Sequence, residues 1–224
     1  PRRPWPNYTF TPFEVRAPNA VFDGANYFVV WEDSRRGIDE GDSTVYGARV
    51  SSAGVVLDPA GIYIGRSRSN VALPRVAWSG SGFFVVWSDR RGGVESDIYG
   101  ARVSPAGVVL DPNGIAVSTA PKNQTGPAVA WNGTDWLVAW EDLRNGGTSD
   151  IYAARVDSSG AVRDPSGFAL TTDVRRESHV RLSCRATDCM ATFVREVESG
   201  FSGGLAICAI RIVGSTRAPN DLLL

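Results

Sequence analysis

Apolar residues in this chain come in short, dense runs separated by polar, glycine-rich segments, and the runs recur. The stretches FDGANYFVVWED (Phe22 to Asp33), WSGSGFFVVWSD (Trp78 to Asp89) and WNGTDWLVAWED (Trp131 to Asp142) share one pattern. Their tryptophans Trp31, Trp87 and Trp140 lie 56 and 53 residues apart, and a further 53 residues lead to Phe193 in a degenerate fourth copy, CRATDCMATFVR. Self-similarity at a fixed period is the signature of a repeat architecture.

Each copy reads as four strands. A short apolar run such as Ala128 to Trp131 is followed by the turn Asn132-Gly133-Thr134-Asp135 and a second run, Trp136 to Trp140. Asn and Gly tolerate the positive φ that such turns demand. The second strand is apolar at consecutive positions, as in Tyr27-Phe28-Val29-Val30-Trp31, which requires burial on both faces. A polar loop leads to a third strand at Val45–Val50, Ile98–Val103, Ile151–Val156 and Ile207–Ile212. Asp58-Pro59-Ala60-Gly61, Asp111-Pro112-Asn113-Gly114 and Asp164-Pro165-Ser166-Gly167 fit type I turns ahead of a fourth strand such as Ile115–Ser118.

Four-stranded meanders of this length, repeated with few insertions, predict an all-β, four-bladed β-propeller with four antiparallel strands per blade. The blades fall at about 18–66, 72–120, 127–173 and 178–224 of a single domain spanning 1–224. Copy four lacks a clear fourth strand, and the repeat spacing places Tyr8-Thr9-Phe10 there. An N-terminal strand at 6–14 is therefore expected to complete the last blade and remove an exposed sheet edge, with Leu222–Leu224 as the rival.

Charge narrows the partners. The net charge is −1, which offers no basic stripe for a nucleic acid. Lys122 is the only lysine, and no apolar run is long enough to span a membrane as a helix. With no initiator methionine or apolar signal segment, the chain reads as a mature product or an excised domain. Cys184 and Cys189 occupy the positions of the aromatic pairs Phe22/Tyr27, Trp78/Phe83 and Trp131/Trp136 that flank the first turn of each other copy. Residues so placed are cross-strand neighbours, so a Cys184–Cys189 disulfide is expected, and with it an extracellular or cell-surface location. Cys208, in a third strand, reads as a buried small apolar residue.

Candidate chemistry sits after the second strand, where Trp-x-Asp-x-Arg recurs as Asp33 with Arg35, Asp89 with Arg91 and Asp142 with Arg144. These pairs are the candidate ligand-binding residues, although a residue present in every blade more often serves the repeat. With Arg49, Arg102 and Arg155, the pairs are expected to stitch neighbouring blades. Copy four carries Arg195 and Val197 at the Asp and Arg positions, so at most three equivalent sites are expected. Asp39, Glu40 and Asp42 in a first-blade insertion are weak metal candidates; no cofactor is required, and Ca2+ in that acidic loop or the central channel is the one addition considered. A lone histidine, His179, and the absence of a nucleophile elbow argue against catalysis. Paired carboxylates for glycoside cleavage stay open, but the loops are short and alike, and the expectation is no enzyme.

The segments Trp131 to Arg144 and Asp150 to Gly167, with their counterparts in copies one and two, resemble the roughly 53-residue propeller repeats of secreted proteins from myxobacteria and related GC-rich bacteria. That resemblance carries no settled activity, and the likeness to hemopexin is one of four-bladed architecture only. The expectation is a non-catalytic extracellular binding module that presents the loops between second and third strands, and between blades, to a protein or surface polymer. The alternative is a lectin with up to three equivalent sites between blades. Neither nucleic acid nor membrane insertion is expected.

Overall fold

The computed structural model describes residues 15–34, 43–67, 72–197, 204–214, 216–217 and 222–223. They form four antiparallel sheets and no helix. The first blade comprises β1 (Val15–Phe22), β2 (Asn26–Asp33), β3 (Ser43–Ser51) and β4 (Ile62–Ser67). The second comprises β5 (Arg75–Trp78), β6 (Phe83–Asp89), β7 (Asp97–Val103) and β8 (Ile115–Ser118). The third comprises β9 (Gln124–Trp131), β10 (Asp135–Asp142), β11 (Asp150–Asp157) and β12 (Phe168–Ala169). The fourth holds β13 (Glu177–Arg185), β14 (Asp188–Val197), β15 (Gly204–Val213), β16 (Thr216–Arg217) and β17 (Leu222–Leu223).

Within every blade the strands pair in sequence order, and the first strands of successive blades pack against one another, β1 on β5, β5 on β9 and β9 on β13. This is the propeller meander. The second and third blades are buried on both faces, as their unbroken apolar runs require: every residue of β6 is buried, and all but one of β10. Between them lies a core of Phe84, Val86 and Ile98 against Trp136, Val138 and Trp140.

Complementary volumes set the packing inside each sheet. A Cβ on Gly100 would stand 2.5 Å from the Phe84 ring, and one on Gly47 would stand 2.7 Å from Phe28. In the third blade Ala153 takes the glycine's place, and the facing residue shrinks to Leu137. Glycine is needed for its backbone at Gly167 (φ +64), which closes the Asp164 turn and lies against Trp140.

Two further features mark the blade edges and inner strands. The outer edge of β15 is paired by the chain's own C-terminal segments, β16 at Ile212 and Val213 and β17 at Cys208 and Ala209. The rival strand thus pairs β15 at Leu222 and Leu223; the N-terminal strand expected at 6–14 lies outside the described residues. The second feature is a kink near the start of each inner strand, where Ala17, Leu73, Gly126 and His179 all adopt positive φ. In three of the four blades it coincides with a break in register between the first two strands.

The disulfide Cys184–Cys189 joins directly paired residues of β13 and β14, replacing the ring contacts Phe22–Tyr27, Trp78–Phe83 and Trp131–Trp136. Cys208 is buried and takes no part in the disulfide. No helix among the described residues is long and apolar enough to cross a membrane.

Candidate functional site

The repeated Trp-x-Asp-x-Arg segment folds into the same station in the second and third blades, and its Trp–Asp half recurs in the first. Strand periodicity puts the tryptophan and the aspartate two residues on along the same face. The indole Nε1 of Trp87 therefore donates to Asp89 at 3.2 Å, that of Trp140 to Asp142 at 2.7 Å and that of Trp31 to Asp33 at 3.0 Å. The chain then turns, so that the Arg91 backbone N–H and Nε donate to Asp89 at 2.8 and 2.7 Å. Arg144 binds Asp142 in the same way, through its backbone N–H at 2.8 Å and Nη2 at 2.6 Å. Each guanidinium lies 4.0 Å from the ring centre of the next strand's tyrosine, Tyr99 or Tyr152. It also donates to the carbonyl of Asn113 or Ser166 in the turn before the fourth strand.

The sequence-predicted pairs Asp89/Arg91 and Asp142/Arg144 are thus brought together, and their carboxylates are fully buried with both oxygens engaged. Such an arrangement locks a loop to its blade. Arg35 lies outside the described residues, as do Asp39, Glu40 and Asp42. Arg49, Arg102 and Arg155 were expected to stitch blades together. Their forks instead hold Asp58, Asp111 and Asp164 of their own blades at 2.8 to 2.9 Å, and Arg102 also reaches the next blade, at the Ser158 carbonyl. The reason is register: the turn returns each aspartate beside an arginine nine residues earlier.

Copy four inverts the station. The pair Asp142 and Gln124 becomes Arg195 and Glu177, whose guanidinium and carboxylate meet at 2.7 Å. Arg195 also reaches Asp173, 3.7 Å away, and Asp173 accepts from Arg175 at 2.6 and 2.7 Å. None of this is present one blade earlier, where the position of Asp173 is Ala120.

The consequence is a cleft at the junction of the third and fourth blades. One lobe, of about 370 Å³, is lined by Asn145, Thr148, Asp150, Asp173 and Val174; a second, of about 470 Å³, shares Thr148 and Val174 and extends to Glu196 and Leu205. Two of its acids are driven in opposite directions. Burial pushes the Asp150 carboxyl above its ordinary value and the charges of Asp142 and Asp173 add to this, while the Asn145 amide offsets part. Asp150 Oδ1 is buried with no partner, and Oδ2 accepts from Asn145 Nδ2 at 2.8 Å. Asp173 is held far below the usual carboxylate range, first by its hydrogen bonds from the Arg175 side chain. Beneath them burial also raises Glu177, against the opposing pull of Thr171 and Arg195, and its Oε2 is unpartnered.

Sequence reasoning passed over Asp150 and Asp173. Asp150 was passed over as the residue just before the third strand, and Asp173 lies in a connection with no counterpart acid. The available signal was departure from the repeat. His179, the one histidine, is exposed in the β13 kink; its ring nitrogen shares a hydrogen bond with Ser178 Oγ at 2.9 Å, and its backbone N–H donates to Glu141. Among the described residues no group of three His, Cys, Asp or Glu could hold a metal ion.

No family model and no curated protein matches this chain. Solved structures do share its fold. An endo-arabinase from Bacteroides thetaiotaomicron superposes with a TM-score of 0.58 at 12% identity, over 92% of this chain and 80% of that one. A β-1,2-mannobiose phosphorylase from Listeria innocua gives 0.56 at 9% identity, over 97% and 79%. The subtype N10 neuraminidase-like protein of a bat influenza A virus gives 0.59 at 12%, over 95% of this chain and 59% of that one. At these identities the likeness establishes the propeller fold, while the myxobacterial repeats remain a resemblance of residues. The expectation of no enzyme is corrected by the same finding: the neighbours are carbohydrate-active enzymes on this scaffold, so an ordinary propeller with one histidine is no argument against catalysis.

Proposed function

We propose that this chain is a carbohydrate-active propeller that cleaves a glycosidic bond in the cleft between its third and fourth blades. The observation that carries this reading is the pair of cleft carboxyls, Asp150 raised and Asp173 lowered, since environments that separate two acids assign them different roles. Asp150 retains its proton to higher pH than an ordinary aspartate and donates it to the leaving glycosidic oxygen as the C–O bond breaks; a water molecule then bonds to the anomeric carbon and gives up a proton to the Asp150 carboxylate, restoring it. Asp173 is too acidic to be a strong base, so its part is to place negative charge where an oxocarbenium-like transition state gathers positive charge. Arg175 and Arg195 keep it ionised. The lining also offers Asn145 and Thr148 to sugar hydroxyls and the apolar side of Val174 to a ring face.

The cleft is built from the loop between β10 and β11 and the connection from the third blade to the fourth, so function falls on loops held by a rigid scaffold. The fold shared with an arabinase and a mannobiose phosphorylase supports a glycan as the partner. The disulfide supports an oxidising, extracellular setting.

The test is sugar release from a panel of plant and microbial polysaccharides and aryl glycosides. Asp150→Asn is expected to lower turnover by about 10²-fold or more, as loss of a general acid does. Asp97→Asn, the same substitution one blade earlier, is expected to leave it unchanged. Absence of release from every substrate, or equal turnover by Asp150→Asn, overturns the proposal.

A further inference from the structure

The three blade junctions are made alike. One face of a blade, carrying residues such as Phe84, Val86 and Ile98, packs on the opposite face of the next, carrying Trp136, Val138 and Trp140. Phe28, Val30 and Val45 meet Phe83, Val85 and Trp87 in the same sense, and Leu137, Ala139 and Ile151 meet Ala191, Phe193 and Ile210. Each blade therefore has a forward and a backward face, with fixed register positions for each.

Two such faces are left over. The backward face of the first blade keeps the junction chemistry, but Tyr27 is 47% exposed where its equivalents Phe83 and Trp136 are 0% and 2%. Beside it Phe22 is 46% exposed. The forward face of the fourth blade is also open: Ile207 is 47% exposed, against 0% for Ile98 and Ile151 at the same register position. Leu205, on its flank, is 73% exposed. Among the described residues, extensive strand packing runs from blade one to two, two to three and three to four, and none joins four to one. The C-terminal strands β16 and β17 pair the edge of β15, extending its sheet rather than stacking on this face.

We propose that one further four-stranded unit of the same repeat, carried on the same polypeptide, packs between the first and fourth blades. One such unit presents both missing faces: a backward face for Ile207 and Val194, and a forward face for Tyr27 and Val29. Exposed apolar patches that match an existing internal interface are interaction surfaces. The superposition with the endo-arabinase points the same way, because it uses nearly all of this chain yet leaves about a fifth of the other without a counterpart.

The test is hydroxyl-radical footprinting read by mass spectrometry, with the mass in solution measured alongside. The 224-residue chain is compared with chains extended after Leu224 by a second copy of residues 119–171 or, separately, of residues 66–118. In the 224-residue chain, as a monomer, Tyr27 and Leu205 are expected to be labelled several-fold faster than Phe83 and Trp136. In an extended chain their labelling is expected to fall to the buried level, and Ile207→Arg is expected to restore it. Three results overturn the proposal. Tyr27 and Ile207 are already protected in the monomer; the 224-residue chain is a dimer that Ile207→Arg dissociates; or both extended chains stay labelled as before.

Discussion

The second and third blades carry the same station after the second strand, yet only the third opens onto a cleft of paired acids. In the second blade Asp97 follows the loop as Asp150 does in the third, and burial raises both. The difference is one position away in space: Ala120 in one connection and Asp173, flanked by Arg175 and Arg176, in the other. The repeated residues pin loops to their blades. The chemistry appears where a single copy departs from the repeat, and that distinction divides substitutions into two kinds.

The largest effect is expected at the station. Asp142 is fully buried and satisfies the Trp140 indole and three donors of Arg144. Asp142→Ala strands that guanidinium and that indole, and removing one partner of a buried pair costs about 3–5 kcal/mol. Urea unfolding at neutral pH is expected to show a loss of that order, and a similar one for Asp89→Ala. A loss equal to that of a surface substitution would return these residues to the candidate ligand-binding set.

The next effect concerns how each copy tunes its own volume. Gly100→Ala drives a methyl into the Phe84 ring, and overpacking of a well-filled core costs about 1–3 kcal/mol. The third blade already shows the remedy, alanine opposite leucine. Phe84→Leu in the same chain is therefore expected to recover part of the loss, and the two changes should be non-additive in thermal unfolding. Additive losses would mean that the glycine answers to its backbone instead.

These two regions also divide what the sequence discloses. Consecutive apolar positions such as Phe83 to Trp87 dictate strands buried on both faces, and turn residues bound them, so the sheets and the Cys184–Cys189 crosslink were legible. The Asp58–Arg49 clamp was not, since the pairing depends on how the turn folds back rather than on spacing along one strand. The positive φ of Ala17, Leu73 and His179 was equally hidden, because only Gly126 announces it. The C-terminal pairing on β15 was legible only as a rival for a related reason: β16 and β17 are two residues each, too short for an alternation to register. Asp150 and Asp173 were invisible as a pair because they belong to different elements, and reasoning from shared residues looks past what is unshared.

The smallest effect is one of sign, and it separates the two cleft acids most directly. The folded chain raises the Asp150 carboxyl, so between its ordinary and its raised value the unfolded chain binds fewer protons than the folded one. Stability then falls as pH rises through that window. Asp173 is lowered, so its contribution is present above the ordinary carboxylate value and is lost as pH falls toward its folded one. Asp150→Asn is therefore expected to gain stability relative to the parent on going from about pH 3 to about pH 7, and Asp173→Asn to lose it over the same range. Thermal unfolding of both variants and the parent across that range is the measurement. Parallel curves for the two variants would mean that the cleft does not separate its acids, and the assignment of proton donor and charge stabiliser would fall with it.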